Sequence, residues 1–370
     1  MSDHAPLRAL LIGLGGMGRA WLRTLLASHD VELAGVADLD PNVAKAALDD
    51  AQVSGVPVAS TLAELVDEVP AADFVVDVTI PEAHYPVTME ALQRRLPVLG
   101  EKPLAASLSE AVEMVAAAQA YDTLFMVSQN RRYDPNLFAF RRAVRQLGRL
   151  GILTADFFKA PHFGGFRDAM DHPLVLDMAI HTFDAMRFVT GVDPVAVYCD
   201  EFNPAWSWYA GDAASTAIFE MADGSRCVYT GSWCSAGLET SWNSAWRASG
   251  EYGAAVWDGE GAPTVEIVRG EDDEAGTHGP GATDREASPD QQPRPGIAGS
   301  LHDFVQALRT GTRPMCEARD NLMSLAMVYA AIESAKSGRR VVIADVLAQA
   351  YAQARQRATG PVAEALPSPE

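Results

Sequence analysis

The stretch Leu7-Arg8-Ala9-Leu10-Leu11-Ile12-Gly13-Leu14-Gly15-Gly16-Met17-Gly18 decides the fold. Its first half is a short apolar run of the kind that forms a strand buried on both faces. Its second half fits G-x-G-x-x-G. In that pattern the first glycine permits a tight turn and the second lets a pyrophosphate approach the backbone. The third lets the following helix pack closely on the strand. The free N–H groups at the start of that helix would face the phosphates. Asp38 stands twenty residues beyond Gly18, at the end of the next apolar run, Val31 to Ala37. A carboxylate there accepts hydrogen bonds from ribose hydroxyls and repels a 2′-phosphate, so NAD is expected over NADP. Gly13, Gly15, Gly16, Met17, Gly18 and Asp38 are therefore candidate cofactor-binding residues.

Working outward, apolar runs and helical patterns keep alternating. Strands are expected near Val56 to Val58, Phe74 to Val78, Pro97 to Leu99 and Leu124 to Val127. Helices are expected from about Thr61, over Ala83 to Arg94 and over Ser107 to Ala120. Such alternation predicts a doubly wound parallel sheet. The pattern changes after about Ser128. Pro135 opens a helix to about Leu147, and Ile152 to Phe158 reads as a strand. A glycine- and aromatic-rich loop, Ala160 to Asp171, precedes a helix over Leu174 to Thr190 that Gly191 stops. Successive strands with hairpin signals such as Ala222-Asp223-Gly224-Ser225 then run to about Val268, predicting a mostly antiparallel sheet. Residues 271–299 are polar and rich in Gly and Pro, and read as a long loop. Helices return at Leu301 to Arg309 and Asp320 to Lys336, followed by a short strand at Val341 to Ile343. The expected division is a dinucleotide-binding domain at 1–128, a substrate-binding and oligomerisation domain at 129–358 whose last helices pack back on the first, and a disordered tail at 359–370.

The bulk numbers fit this. With 48% apolar and 21% charged residues the chain is ordinary globular material. Its 29 basic against 49 acidic residues give a net charge of −20, which disfavours a nucleic-acid or anionic-membrane partner. The four cysteines, Cys199, Cys227, Cys234 and Cys316, form no zinc or redox pattern. They read as free thiols of a cytoplasmic protein, with no metal expected.

Two further features carry chemistry. Gly100-Glu101-Lys102-Pro103 follows the predicted strand at Pro97 to Leu99, and ligands of open α/β sheets bind beyond the carboxyl ends of strands. Asp177-Met178-Ala179-Ile180-His181 lies in the predicted Leu174 to Thr190 helix, where residues four apart share a face. Asp184 is near the same stripe. Charged groups on so apolar a helix must be paired or functional. Histidine can take the hydroxyl proton when a carbinol loses hydride. A lysine ammonium can orient that hydroxyl and stabilise developing negative charge.

Together these residues resemble the glucose–fructose oxidoreductase / inositol dehydrogenase (Gfo/Idh/MocA) family over almost the whole chain. Ile80-Pro81-Glu82-Ala83-His84 is similar to the family's Pro-x-x-His turn under the nicotinamide ribose. Glu101-Lys102-Pro103 resembles its Glu-Lys-Pro signature, Asn130-Arg131-Arg132-Tyr133 its Asn-x-Arg-aromatic segment, and Asp177-x-x-x-His181 with Asp184 its catalytic helix. The stretch from His302-Asp303-Phe304 to Gly338 resembles its C-terminal helices. The resemblance implies an N-terminal Rossmann domain and a C-terminal α/β domain with a mostly antiparallel open sheet. Such a sheet often forms a homodimer or homotetramer interface. It further implies NAD-dependent hydride transfer to or from a hydroxyl carbon of a sugar, cyclitol or related polyol. By position, Lys102 would hold the hydroxyl, His181 would be the acid/base and Asp177 would support both. Thr79, Pro81, His84, Glu101, Lys102 and Asn130 would complete the cofactor site, and relatives sometimes carry a cis Lys-Pro bond. Loops holding Lys159, His162, Arg167 and Trp206 would line the sugar pocket beside Asp177 and His181. Lys159 with Arg167 would suit an anionic sugar. Alternative readings are an NAD-dependent glycosidase or epimerase acting through a transient 3-keto sugar, and a non-catalytic NAD(H) sensor.

Overall fold

A computed structural model describes residues 5–268 and 294–367. The chain divides into two compact units: Met1–Gln129 with Ile297–Leu322 and Leu347–Glu370, and Asn130–Gly296 with Met323–Val346.

The first unit begins β1(Leu7–Ile12), α1(Gly16–Leu26), β2(Val31–Ala37), α2(Pro41–Asp50), β3(Val58–Ala59), α3(Leu62–Glu68), β4(Phe74–Asp77), α4(Pro81–Gln93), β5(Val98–Gly100), α5(Leu108–Ala120) and β6(Phe125–Val127). Its sheet runs β3-β2-β1-β4-β5-β6, and every pairing is parallel. This is the doubly wound order with its switch point between β1 and β4. The strands are apolar on both faces because helices cover both; Leu10, Leu11, Val75, Val76, Leu99 and Met126 are wholly buried. Helix starts follow local capping chemistry. Thr61 and Ser107 accept from the backbone N–H of Glu64 and Glu110, and Asp40 caps α2 just before Pro41.

The second unit contains α6(Pro135–Arg145), β7(Leu150–Phe158), α7(Ile180–Thr190), β8(Pro194–Phe202), β9(Ala214–Met221), β10(Arg226–Ser232), β11(Ala245–Gly250), β12(Gly253–Trp257) and β13(Thr264–Ile267). The remaining elements are α8(Gly296–Thr310), α9(Ala318–Ser337), β14(Val341–Val342), α10(Ile343–Arg357) and α11(Gly360–Ala365). The second sheet runs β13-β12-β11-β7-β10-β9-β8-β14. It is antiparallel except for β7 beside β10, which are parallel. The β9–β10 hairpin turns at Gly224, whose φ of 87° suits glycine. On the covered face Phe183 of α7 packs edge-on against Phe219 of β9 and Tyr229 of β10, with centroids 4.8 and 5.3 Å apart. That packing fixes the helix bearing His181.

Three expectations change. The helix over Leu174 to Thr190 is not uniform, because Leu174–Ala179 is a π-helical segment and only Ile180–Thr190 is α. The loop expected to reach Gly299 ends earlier, since α8 starts at Gly296; residues 271–293 lie outside the described residues. Within the tail expected to be disordered, Gly360–Ala365 folds as α11, because Val362 and Leu366 are apolar and find burial; residues 368–370 lie outside the described residues. Helix α11 packs against α5. Beside it the Arg357 guanidinium of α10 grips the buried Glu113 carboxylate of α5 at 2.7 and 2.5 Å, and the Tyr85 hydroxyl donates to the same group at 2.7 Å. Burial pushes the Tyr85 hydroxyl up to about 12. Among the described residues no helix is long and apolar enough to cross a membrane.

Candidate functional site

In the first unit the glycine turn after β1 shows three distinct environments. Gly13 has φ +91°, and a Cβ there would stand 2.7 Å from the Val78 carbonyl oxygen after β4. On Gly18 a Cβ would collide with the Gly13 carbonyl oxygen. At Gly15 and Gly16 a Cβ would meet nothing within 4 Å. The turn is thus closed toward the protein at its two ends and open in its middle, as a phosphate-binding turn requires. Gly15 caps α1, so the first N–H groups of that helix lie at the opening. Met17 is 44% exposed beside it. Asp38 follows β2 with its carboxylate tied to the turn: it accepts from the Leu14 N–H at 2.8 Å and the Asp40 N–H at 3.1 Å. These residues fit a dinucleotide, whose pyrophosphate would take the open middle and whose ribose would face Asp38.

The neighbouring strand ends are interlocked. Asp77, wholly buried at the end of β4, accepts from the Thr79 hydroxyl at 2.6 Å, the Thr79 N–H at 3.2 Å and the Thr88 hydroxyl at 2.9 Å. Pro81 opens α4, and His84 follows one turn later, 2% exposed. Its ring nitrogens lie 2.8 Å from the Pro103 carbonyl oxygen and 2.9 Å from that of Thr79, so it bridges the turns after β4 and β5. The Lys102–Pro103 peptide is cis. Glu101 is 7% exposed, and its carboxylate accepts from the Trp21 indole at 2.7 Å and the Lys102 N–H at 3.1 Å. Burial holds its carboxyl above the ordinary carboxylate range, opposed by the Trp21 bond and the nearby Lys102 charge. Glu101 therefore joins α1 to the turn after β5. Trp21 is the partner that sequence reasoning missed. The available signal was a lone indole one turn beyond Gly18, needing a buried acceptor.

In the second unit, Asn130 opens the 3-10 turn Asn130–Tyr133. Arg132, predicted only as part of a motif, makes a two-pronged bond to Asp184 at 2.7 Å for each arm, and both side chains are over nine-tenths buried. The Ser324 hydroxyl adds a third bond to Asp184 at 2.6 Å. Asp184 is therefore committed to a buried ion pair rather than to chemistry. Arg131 donates toward the Met178 sulfur at 3.7 Å, and burial lowers its guanidinium to about 10. It lines, with His181, Thr182 and Asn243, a cavity of about 10 Å³, on the order of one water. His181 is 8% exposed in the first turn of α7. Asp177 sits in the π-helical segment, a distortion common at functional sites. It accepts from the Arg167 guanidinium at 2.6 Å.

The predicted sugar-pocket residues are placed as follows. His162 stacks on Trp208 with centroids 3.7 Å apart. Trp206 is 73% exposed, with its indole held by the Cys234 carbonyl at 3.1 Å. Lys159 pairs with Glu239 at 3.0 Å, and Arg167 with Asp177. Both cations expected to attract an anionic sugar thus already hold carboxylates. Among the described residues no His, Cys, Asp and Glu cluster has metal-site geometry.

A profile of the oxidoreductase family with an NAD-binding Rossmann fold matches residues 7–129, and that of the GFO/IDH/MocA C-terminal domain matches 145–256. The chain belongs to the Gfo/Idh/MocA family. It is an NAD-binding oxidoreductase of that family. It is 26% identical to D-apiose dehydrogenase of Paraburkholderia graminis, covering 93% of this chain and 92% of that one. Inositol 2-dehydrogenase of Rhizobium meliloti is 25% identical, over 90% of this chain and 98% of that one. An oxidoreductase from Agrobacterium radiobacter, solved with NAD+, L-tartaric acid and magnesium, shares the fold with a TM-score of 0.77 at 22% identity, covering 92% of this chain and 99% of that one.

Proposed function

We propose that this oxidoreductase transfers hydride between NAD and a hydroxyl carbon of a sugar, cyclitol or related polyol, with Lys102, Asp177 and His181 as its catalytic residues. The observation that carries this reading is the retention of those three ionisable residues. A protein that only sensed NAD(H) would need the glycine turn and Asp38 alone. The names of its relatives, D-apiose dehydrogenase and inositol 2-dehydrogenase, support the substrate class.

Bound NAD would supply the hydride acceptor; the chain's own residues manage the hydroxyl. The Lys102 ammonium donates to the substrate oxygen and stabilises the negative charge that develops there. His181 takes the hydroxyl proton, and returns one in the reverse direction. Asp177, oriented by Arg167, accepts from a neighbouring substrate hydroxyl. Thr79, Pro81, His84, Glu101 and Asn130 shape the nicotinamide end, while Gly13 to Gly18 and Asp38 hold the pyrophosphate and adenosine ribose. The segment 1–128 serves the cofactor and 129–358 the substrate and self-association.

Self-association would use the open face of the second sheet. There Tyr198 of β8 and Ile218 of β9 are cross-strand partners, 49% and 41% exposed. Light scattering at several concentrations distinguishes a dimer or tetramer from a monomer. Four free, buried cysteines fit a reducing cytoplasm. The test of function is a panel of sugars and polyols with NAD, read by NADH absorbance. Lack of NADH from every neutral polyol, alongside sugar release from a glycoside, favours the transient-oxidation mechanism instead.

A further inference from the structure

The loops of the second unit carry an aromatic surface that the proposed chemistry does not use. It begins at the catalytic helix. Arg167, bonded to Asp177 at 2.6 Å, lies over the rings of Phe166 and Phe163, 4.6 and 5.3 Å from their centroids. Phe163 stands 6.2 Å from Trp242. Lys159 lies over Trp242 at 5.1 Å and bonds Glu239 at 3.0 Å. Water reaches 53% of Phe166, 51% of Phe163 and 42% of Trp242.

From this arrangement, and resting on the polyol reading above, we propose that Phe166, Phe163 and Trp242 form a second sugar subsite ending at the Lys159–Glu239 pair. The substrate is then a glycoside or disaccharide. One ring reacts beside Asp177 and a second pyranose ring lies along the aromatic shelf.

Three features favour that occupant. The shelf is continuous with Asp177 through Arg167, and beyond Arg167 it runs on through the Phe163–Trp242 ring contact to Lys159. Its charges are matched, Arg167 by Asp177 and Lys159 by Glu239, so a phosphate or nucleotide gains no uncompensated cation there. A neutral ring with one apolar face does gain from contact with partly exposed aromatic side chains. At the outer end the Glu239 side chain is 42% exposed, and the bond from Lys159 keeps its carboxyl below the ordinary range. It remains an acceptor for sugar hydroxyls, while Lys159 can donate to them.

The test is calorimetric titration of the full chain, saturated with NADH, with cellobiose and maltose against glucose and myo-inositol. At least one disaccharide is expected to bind about tenfold tighter than glucose. Trp242→Ser should remove that advantage and leave glucose binding unchanged. Should Trp242→Ser not fold, Glu239→Gln is expected to lower disaccharide affinity severalfold with glucose unaffected. Disaccharides binding no better than glucose, or variants that alter neither, overturn the subsite. So does a Trp242 that becomes exposed only when a protein oligomer is diluted, which would make the shelf an interface between copies. NADH formation in the same mixtures is scored separately. Tight disaccharide binding without turnover of any polyol breaks the polyol-oxidation reading and leaves the subsite standing.

Discussion

The turn set around Glu101 and the loop set around Asp177 solve two different problems. In the first unit, Asp77 and His84 are buried and bonded to the turn after β4, and buried Glu101 is bonded to Trp21, while the opening is lined by backbone at Gly15 and Gly16. In the second unit, Arg167, Phe163, Phe166 and Trp242 are partly exposed and held by side-chain pairs. A cofactor shared by many enzymes is served by backbone geometry, which few sequences can supply. A particular substrate is served by side chains, which many sequences can vary.

The largest expected effect tests whether the proposed chemistry belongs to the side-chain region. His181→Ala should lower kcat by about 10²–10⁴-fold while NADH binding, read by fluorescence titration, persists. Normal turnover in both His181→Ala and Lys102→Ala would falsify the catalytic assignment. Next comes the buried pair that supports the 3-10 turn. Asp184→Ala strands Arg132 without its carboxylate and should cost about 3–5 kcal/mol of unfolding free energy in urea. A loss below ~1 kcal/mol would return Asp184 to the list of residues free for chemistry.

Smaller effects sharpen the backbone side. Gly18→Ala should destabilise the fold by roughly 1–3 kcal/mol, because its Cβ meets the Gly13 carbonyl. Gly16→Ala should leave the melting temperature near that of the parent and weaken NADH, because its Cβ enters only the opening. Equal melting losses in the two variants would show that the middle of the turn is not open.

The smallest effect is a pH slope. Glu101 is raised by burial, so the folded state holds its proton more tightly than the unfolded chain does. Its stabilising contribution is complete below the ordinary carboxyl range and declines as pH rises toward the raised value. Glu101→Gln lacks that slope. Urea midpoints of parent and variant should therefore diverge from pH 4 upward and run parallel once the parent carboxyl has ionised. Parallel curves throughout would mean that Glu101 ionises as freely folded as unfolded.

Much of this was legible in the chain itself, and the exceptions have physical causes. The glycine turn after β1 and the position of Asp38 beside it could be read because each depends on neighbours close in sequence. The π-helical start at Leu174 could not, since tertiary packing selects it over α from the same apolar pattern. Helix α10 went unread although Ile343, Ala350 and Ala354 repeat at helical spacing and are buried, because no strong cap marks its start. The order of α11 depends on α5, far away in sequence.

By itself the sequence determined the strand alternation, the glycine turn and the ionisable residues available for chemistry, since these follow from periodicity, backbone sterics and side-chain type. Only the tertiary structure decided which charges are already taken. Asp184 is bound by Arg132 and Ser324, Asp177 by Arg167, Lys159 by Glu239, and Glu101 by Trp21. Those partners lie between 10 and 140 residues apart in the chain, so nothing local encodes the pairing. Burial supplies the reason for it: a polar group taken from water must find a partner wherever the fold brings one.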